Sequence, residues 1–348
     1  MKKVFLLSLV IGSIASLQAQ NRFEQSQAST LFKEETPLQV VISMDIEEVT
    51  KDIDERESHA GTFTLIEGGE STELSVKFKV RGNNRANPSV CPFPPLELNF
   101  KKKEVTGSLL AGQDKMKLVT HCNNRSTSRK NAIQEYLVYK QYNLLTDYSF
   151  KVRWLDIVYI DTQSGDSLSK FGFLIEAEDI LTERMQMTKH KRKIYHQDQC
   201  REEAIDLFTV FQYFIGNTDW SVSEKHNVKL ISNAEDQVPI PIPYDFDNSG
   251  LVNAFYARPA PSLGIPDVRT RLFRGFCREP GTYEKTFALF NEKKEELIGL
   301  YDNVPDLNER ELKSARGYME KFFDTINHPK KSQNSFTKAC RLNHAHKY

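Results

Sequence analysis

The chain has 348 residues, with 47 basic and 47 acidic side chains. That balance excludes the cationic surplus by which a protein grips nucleic acid or an anionic bilayer. An apolar content of 39% and an aromatic content of 11% exclude a disordered chain, and the length suits one two-part unit or two closely joined domains.

Lys2 and Lys3 precede an apolar run over residues 4–15, and small residues follow it. This is the pattern of a cleavable signal peptide, and the run is too short to cross a bilayer as a helix. A signal peptide over residues 1–19 is expected, with cleavage after Ala19 or after Ala15, followed by an N-terminal linker over 20–36. No cysteine lies close enough for a lipid anchor, and no later stretch is apolar enough to span a membrane. The expected product is exported, periplasmic or extracellular, with no membrane span and no nucleic-acid partner.

Residues 37–177 read as a β-rich first part. Leu38, Val40, Ile42, Met44 and Ile46 alternate with more polar residues, as do Leu74, Val76, Phe78 and Val80. A strand over 62–66 runs into a turn at Glu67-Gly68-Gly69. Leu96, Leu98 and Phe100 alternate again, and another strand covers 115–120. A helix over 129–145 sets Ile133, Tyr136, Leu137, Lys140 and Leu144 on one stripe, with Ser128 as its cap. Strands over 152–160 and 171–176 complete an antiparallel sheet with one helix on it.

Residues 178–348 read as mainly helical. A helix over 202–215 carries Ala204, Leu207, Phe208, Phe211, Phe214 and Ile215, and Gly216 stops it. A short β-region covers 228–231 and 238–244, where Pro239, Pro241 and Pro243 mark an edge or irregular strand. Amphipathic helices are predicted over 283–300 and 309–326; the second shows Leu312, Ala315, Met319, Phe322, Phe323 and Ile326 on one face.

Candidate chemistry concentrates between residues 216 and 250. Asp219 follows a buried helix end, and an aspartate there is costly without partners. His226, Asn227, Asp245 and Asp247 lie on segments that a short hairpin brings together with it. The three acids and Asn227 are hard oxygen donors that suit Mg²⁺ or Mn²⁺, and His226 is more often an orienting or core residue than a ligand; taken singly, each acid or Asn is more commonly a cap or turn residue. In the first part, Arg81-Gly82-Asn83-Asn84-Arg85 follows a strand and offers an anion grip. Lys115 and Lys117 share one strand face before the helix that carries Glu135. A strand lysine paired with a helix glutamate holds nucleotide phosphates in kinases; the other reading is a solvated strand face.

The order of these features resembles the spore-coat CotH family of atypical secreted protein kinases. The matching elements are Arg81-Gly82-Asn83, the Lys115/Lys117 strand, Phe171-Gly172-Phe173-Leu174-Ile175-Glu176, Gly216-Asn217-Thr218-Asp219, His226-Asn227 and Pro243-Tyr244-Asp245-Phe246-Asp247. The similarity covers roughly residues 75 to 250. It implies an α+β, two-lobed kinase-like fold, with an antiparallel β N-lobe over 37–177 and a mainly helical C-lobe over 178–348. It further implies transfer of the ATP γ-phosphoryl group to Ser or Thr of exported proteins. Asp219 would orient the acceptor hydroxyl, Asn227, Asp245 and Asp247 would hold the metal, Lys117 (or Lys115) would contact the phosphates, and Glu176 would sit at the hinge. Two other classes stay open: an inactive kinase-like binding protein and a metal-dependent hydrolase.

Export makes disulfides the expectation for the five cysteines, and the absence of CxxC pairs disfavours zinc. If the strands over 96–100 and 115–120 are antiparallel neighbours, Cys91 and Cys122 come within bridging range. Cys277 and Cys340 are the next pair, leaving Cys200 free.

Overall fold

The computed structural model describes residues 30–340, apart from 195, 280, 303 and 305; the expected signal peptide and most of the expected linker lie outside the described residues. Seven strands, β1 (Leu38–Met44), β2 (His59–Glu67), β3 (Glu70–Val80), β4 (Leu96–Phe100), β5 (Lys115–Val119), β6 (Val152–Asp161) and β7 (Ser167–Ile175), close into a barrel in the order β1-β2-β3-β4-β5-β7-β6. The alternating apolar residues point inward, where Phe63, Phe78, Leu98, Leu118, Ile157 and Leu174 fill the interior. The barrel is thus a packed core rather than a channel. Gly68 and Gly69 join β2 to β3 with φ of 58° and 88°, the left-handed pair that a two-residue hairpin turn requires.

This topology overturns the expected two-lobed kinase-like fold with an antiparallel β N-lobe. β1 and β6 run parallel, from Leu38↔Leu155 to Met44↔Asp161, and close the sheet on itself, so the sheet is mixed. Alternation shows which face of a strand is buried but carries no information on which edge meets which. The closing pair joins segments far apart in sequence and leaves no local signature.

Nine α-helices accompany the barrel among the described residues: α1 (Ile46–Lys51), α2 (Lys102–Val105), α3 (Ser126–Leu145), α4 (Glu178–Arg184), α5 (Glu202–Ile215), α6 (Glu284–Glu292), α7 (Lys294–Gly299), α8 (Glu309–Ile326) and α9 (Pro329–Ser332). Ile46 opens α1 rather than ending β1, because the Asp45 side chain accepts from the Glu48 N–H and caps a helix there. The expected helix over 283–300 breaks at Lys293 into α6 and α7. Asn308 and Glu311 form a reciprocal capping box at the start of α8, whose Ala315, Met319, Phe322, Phe323 and Ile326 are buried.

α3 connects the barrel to the helical layer because it is buried on two sides. Tyr136 and Tyr139 meet Phe173 on the outer face of β7 at ring-centroid distances of 5.7 and 5.8 Å. On the other side Tyr139 meets Phe246 at 4.6 Å, and Tyr142 meets Phe211 of α5 at 4.6 Å. A second sheet, β10-β9-β8, combines β8 (Thr188–Lys189), β9 (Val228–Ser232) and β10 (Ile240–Pro243). Pro241 and Pro243 lie on its edge strand, where a missing N–H is tolerated.

β4 and β5 are antiparallel neighbours, and Cys91 and Cys122 form a disulfide with their Cα atoms 4.6 Å apart. Cys277 and Cys340 form a second, at 5.2 Å, and Cys200 is a buried free thiol. The two bridges fit an exported protein. Among the described residues no helix is long and apolar enough to cross a membrane. The Cys277–Cys340 bridge closes a loop with a sequence separation of 63. Serine at both positions is expected to lower the unfolding free energy by about 2–4 kcal/mol in a urea titration. Thiol titration of the unfolded, unreduced protein should find Cys200 alone; a bridged Cys200 would overturn the pairing.

Candidate functional site

The connection from β3 to β4 faces the turns that follow α5 and β10 across a cleft of about 490 Å³. α5 ends at Gly216, whose φ of 67° turns the chain so that the Asn217 N–H donates back to the Gln212 carbonyl at 2.8 Å. A Cβ at this position would run into the Tyr318 hydroxyl, so glycine is required twice over. Asp219 follows in a turn held from both sides. Its own N–H donates to Asn217 Oδ1 at 2.9 Å, and Arg274 donates to the carbonyls of Thr218 and Trp220 at 2.5 and 2.8 Å.

The Asp219 carboxylate is fixed by His226 Nε2 on Oδ1 at 2.9 Å, and by the side-chain amides of Asn227 and Asn248 on Oδ2 at 3.1 and 3.0 Å. Its partners are two amides and an imidazole, with no guanidinium or ammonium among them. Ser221 and His226 exchange backbone hydrogen bonds and set the tight turn that aims the imidazole. Three non-glycine residues that line the cleft, Lys225, Asn227 and Asp245, have left-handed φ values of 51°, 52° and 62°. Each costs on the order of 1 kcal/mol, strain of the kind that persists at functional sites because surrounding contacts enforce it.

Below Asp219 lies a buried ion cluster centred on Arg85, which comes from the β3–β4 connection. Its guanidinium reaches Glu135 of α3 at 3.0 Å, Asp245 at 2.7 Å and Asp247 at 3.0 Å. Tyr256 donates its hydroxyl to Asp247, and the Asp245 N–H donates to the Tyr139 hydroxyl. One cation thus serves three carboxylates. Burial pushes the Glu135 carboxyl up to about 7 and the Asp247 carboxyl up to about 6, against the pull of Arg85. Asp245, half-buried, is held below the usual carboxylate value by Arg85, with Arg81 and Lys117 beside it.

The barrel wall of the cleft is mainly cationic, with Arg81, Arg85 and Lys117 and a single acid, Glu97 of β4. Lys117 on β5 lies 4.5 Å from the Tyr244 ring centroid. Burial, with Arg81 and Lys229 nearby, lowers its ammonium to about 8. Arg81 leaves its Nη1 buried without a hydrogen-bond partner. Neither Lys117 nor Arg81 has a carboxylate within ion-pair distance among the described residues, so both are available to an anion.

The structure brings Arg81, Lys117, Asp219, Asn227, Asp245 and Asp247 to one cleft, with His226 beside them. It leaves out three expected residues. Lys115 is exposed near the start of β5, opposite Asn99 of β4. Glu135 pairs with Arg85 and not with Lys117. Glu176, just beyond β7, is buried against Arg184, at 2.9 and 3.0 Å, and accepts the Lys151 N–H. The residues that sequence reasoning missed are the central position of Arg85 and the supporting Tyr139, Asn248, Tyr256 and Arg274. Asn248 could have been found, since it directly follows the Asp-x-Asp run; the others carry no local signal.

Compared with known proteins, the chain matches no protein-family model and no curated protein sequence.

Among the described residues no three carboxylate, histidine or cysteine side chains form a ready-made metal cage. The donor chemistry still fits Mg²⁺ or Mn²⁺. Asp245, Asp247 and Asn227 offer oxygens, and Mg²⁺ characteristically takes one or two carboxylates and completes its shell with water and phosphate oxygens.

Arg85→Met would strand two buried carboxyl groups and the half-buried Asp245, and a loss of about 3–5 kcal/mol is expected at neutral pH. The wild type should show the same physics in weaker form. Glu135 and Asp247 have native values above their unfolded ones, so the native state binds their protons more tightly. Stability should therefore fall as pH rises from about 4 to about 7 through these two groups. In Arg85→Met that slope should steepen, and thermal melts across this range would show it. A flat profile for both proteins would contradict the charge imbalance.

Proposed function

We propose that the protein is an exported phosphotransferase that uses a nucleoside triphosphate such as ATP, with Mg²⁺ or Mn²⁺, to phosphorylate Ser or Thr hydroxyls of exported proteins. The observation that carries this reading is one cleft with two unlike walls. Lys117 and Arg81 stand without carboxylate partners on one side, and Asp219 is held by neutral donors and His226 on the other. Most of the segments that carry the CotH resemblance, Arg81-Gly82-Asn83, Lys117, Asp219, His226-Asn227 and Asp245-x-Asp247, line this cleft and support the reading, while Phe171–Glu176 lies outside it. It rests on the site and not on the fold, since the barrel is not the architecture that the resemblance implies.

In this reading Lys117 and Arg81 hold the terminal phosphate oxygens. Asp219 accepts a hydrogen bond from the acceptor hydroxyl and takes its proton as the new O–P bond forms and the bond to the leaving diphosphate oxygen breaks. His226, Asn227 and Asn248 keep the Asp219 carboxylate aimed. The cation, when bound, would neutralise phosphate charge, with Asp245, Asp247 and Asn227 as its protein donors.

Hydrolysis is the second reading, favoured by one observation: the side chains of Asp219 and His226 are 38% and 52% exposed, so water reaches the same pair. Incubation with γ-labelled ATP separates the two. Label on a Ser/Thr peptide supports transfer, and label released only as inorganic phosphate supports hydrolysis. Nucleotide-dependent thermal stabilisation with no turnover would leave a binding protein. Asp219→Asn should retain nucleotide binding and lose turnover by about 10²–10⁴-fold. Lys117→Met should weaken nucleotide binding at least about tenfold, and Asp245→Ala should remove its dependence on the divalent cation. Full turnover in Asp219→Asn would sink the reading.

A further inference from the structure

The rim of the cleft beside Asp219 adjoins a basic segment. β8 runs into Lys189-His190-Lys191-Arg192-Lys193. The His190 N–H donates to the Leu230 carbonyl at 2.8 Å and extends the β8–β9 ladder towards Asn227. Lys225, which lines the cleft, donates through Nζ to the His190 carbonyl at 3.2 Å. Ile194 is buried in one apolar cluster with Trp220, Val222 and Val228. The three residues between these anchors, Lys191 to Lys193, are therefore pinned at both ends next to the turn that carries Asp219 and His226, and all three are exposed.

Lys189 is engaged by Asp179 at 2.6 Å. Neither Lys191 nor Arg192 has a carboxylate within ion-pair distance among the described residues. A fixed cationic rim beside the acceptor side of the cleft, on a chain with balanced charge, calls for a complementary anion. We propose that this rim recognises the acceptor as an acidic polypeptide segment, an extended stretch in which carboxylates lie a few residues from the hydroxyl. The proposal rests on the reading of Asp219 as the group that orients the acceptor. In an extended peptide three residues span roughly 10 Å, so carboxylates two to four positions from the acceptor hydroxyl are within reach of a rim that adjoins the cleft. The limited extent of the basic set argues for a peptide over nucleic acid or a bilayer, which need a broad cationic face.

Fluorescence anisotropy of the full-length mature chain, with labelled peptides and no nucleotide, tests the proposal. The probes are a serine peptide flanked by Asp and Glu, the same peptide with Asn and Gln, and a third with Lys and Arg. The acidic peptide should bind at least about tenfold more tightly than the neutral one, and its affinity should fall with added salt. Lys191→Glu/Arg192→Glu should lose at least about tenfold in affinity, with an unchanged melting temperature as the folding control; Lys191→Arg/Arg192→Lys should retain it. Equal binding of acidic and neutral peptides, insensitivity to charge reversal, or preference for a DNA oligonucleotide or anionic vesicles over the acidic peptide would each overturn it. Because binding is read without nucleotide, retained acidic-peptide affinity in a protein that transfers no phosphoryl group would count against the transferase reading and not against this one.

Discussion

The Arg85 guanidinium joins three parts of the chain that belong to two apolar clusters. Arg85 belongs to a connection of the barrel, Glu135 to α3, and Asp245 and Asp247 to the turn beyond β10. The barrel interior forms one cluster, and α3, the outer face of β7 and the C-terminal helices form another. Burying four ionisable groups is expensive, and a buried ion cluster is weak evidence of net stability. Its effect is on geometry. A guanidinium fork satisfied by three carboxylates permits few arrangements, so the cleft floor is set by hydrogen-bond directions more than by the adaptable packing of apolar side chains.

The strained backbone is consistent with that constraint. Asn227 and Asp245 both sit in the left-handed region, and each is held by several partners. Asn227 donates to the carbonyl and carboxylate of Asp219, while Asp245 is bound by Arg85 through its side chain and by Tyr139 through its N–H. Remove the partners and each residue would relax to ordinary φ. The strain is therefore maintained by the same bonds that position the oxygen donors.

Much of this was legible in the sequence, and the limits have physical causes. Alternation in residues 38–44 and 74–80 gave the strands, Gly68-Gly69 the hairpin, and Gly216 the end of α5, because each is decided by neighbours in the chain. Antiparallel pairing of β4 and β5 was enough to place Cys91 beside Cys122. Barrel closure by β1 and β6 was not legible, since parallel pairing between distant segments depends on edges and not on faces. The Lys117–Glu135 pair failed for a related reason. The sequence places Glu135 within the helix but off its apolar stripe, and spacing cannot say which of several cations will reach it; Arg85 does so with more donors and a planar fork. Asp219, His226 and Asn227 were easier, because they lie within one tight turn.

The three aspartates of the cleft show how one side-chain type is given different tasks by its surroundings. Asp247 is buried with a guanidinium and a phenol and is pushed towards its protonated form. Asp245 is only half-buried, sits nearest the cations and remains a carboxylate. Asp219 stands at the rim, in contact with water, held by neutral donors and an imidazole. Among the described residues no guanidinium or ammonium contacts the Asp219 carboxylate, so it remains open to a donor that arrives from outside. Arg85 has no such freedom, with all its reach taken by Glu135, Asp245 and Asp247. A proton acceptor is therefore best placed at the rim, and a structural anchor at the floor. Exchanging the two would leave the acceptor carboxylate neutralised and the anchor exposed to solvent, where ion pairs contribute little.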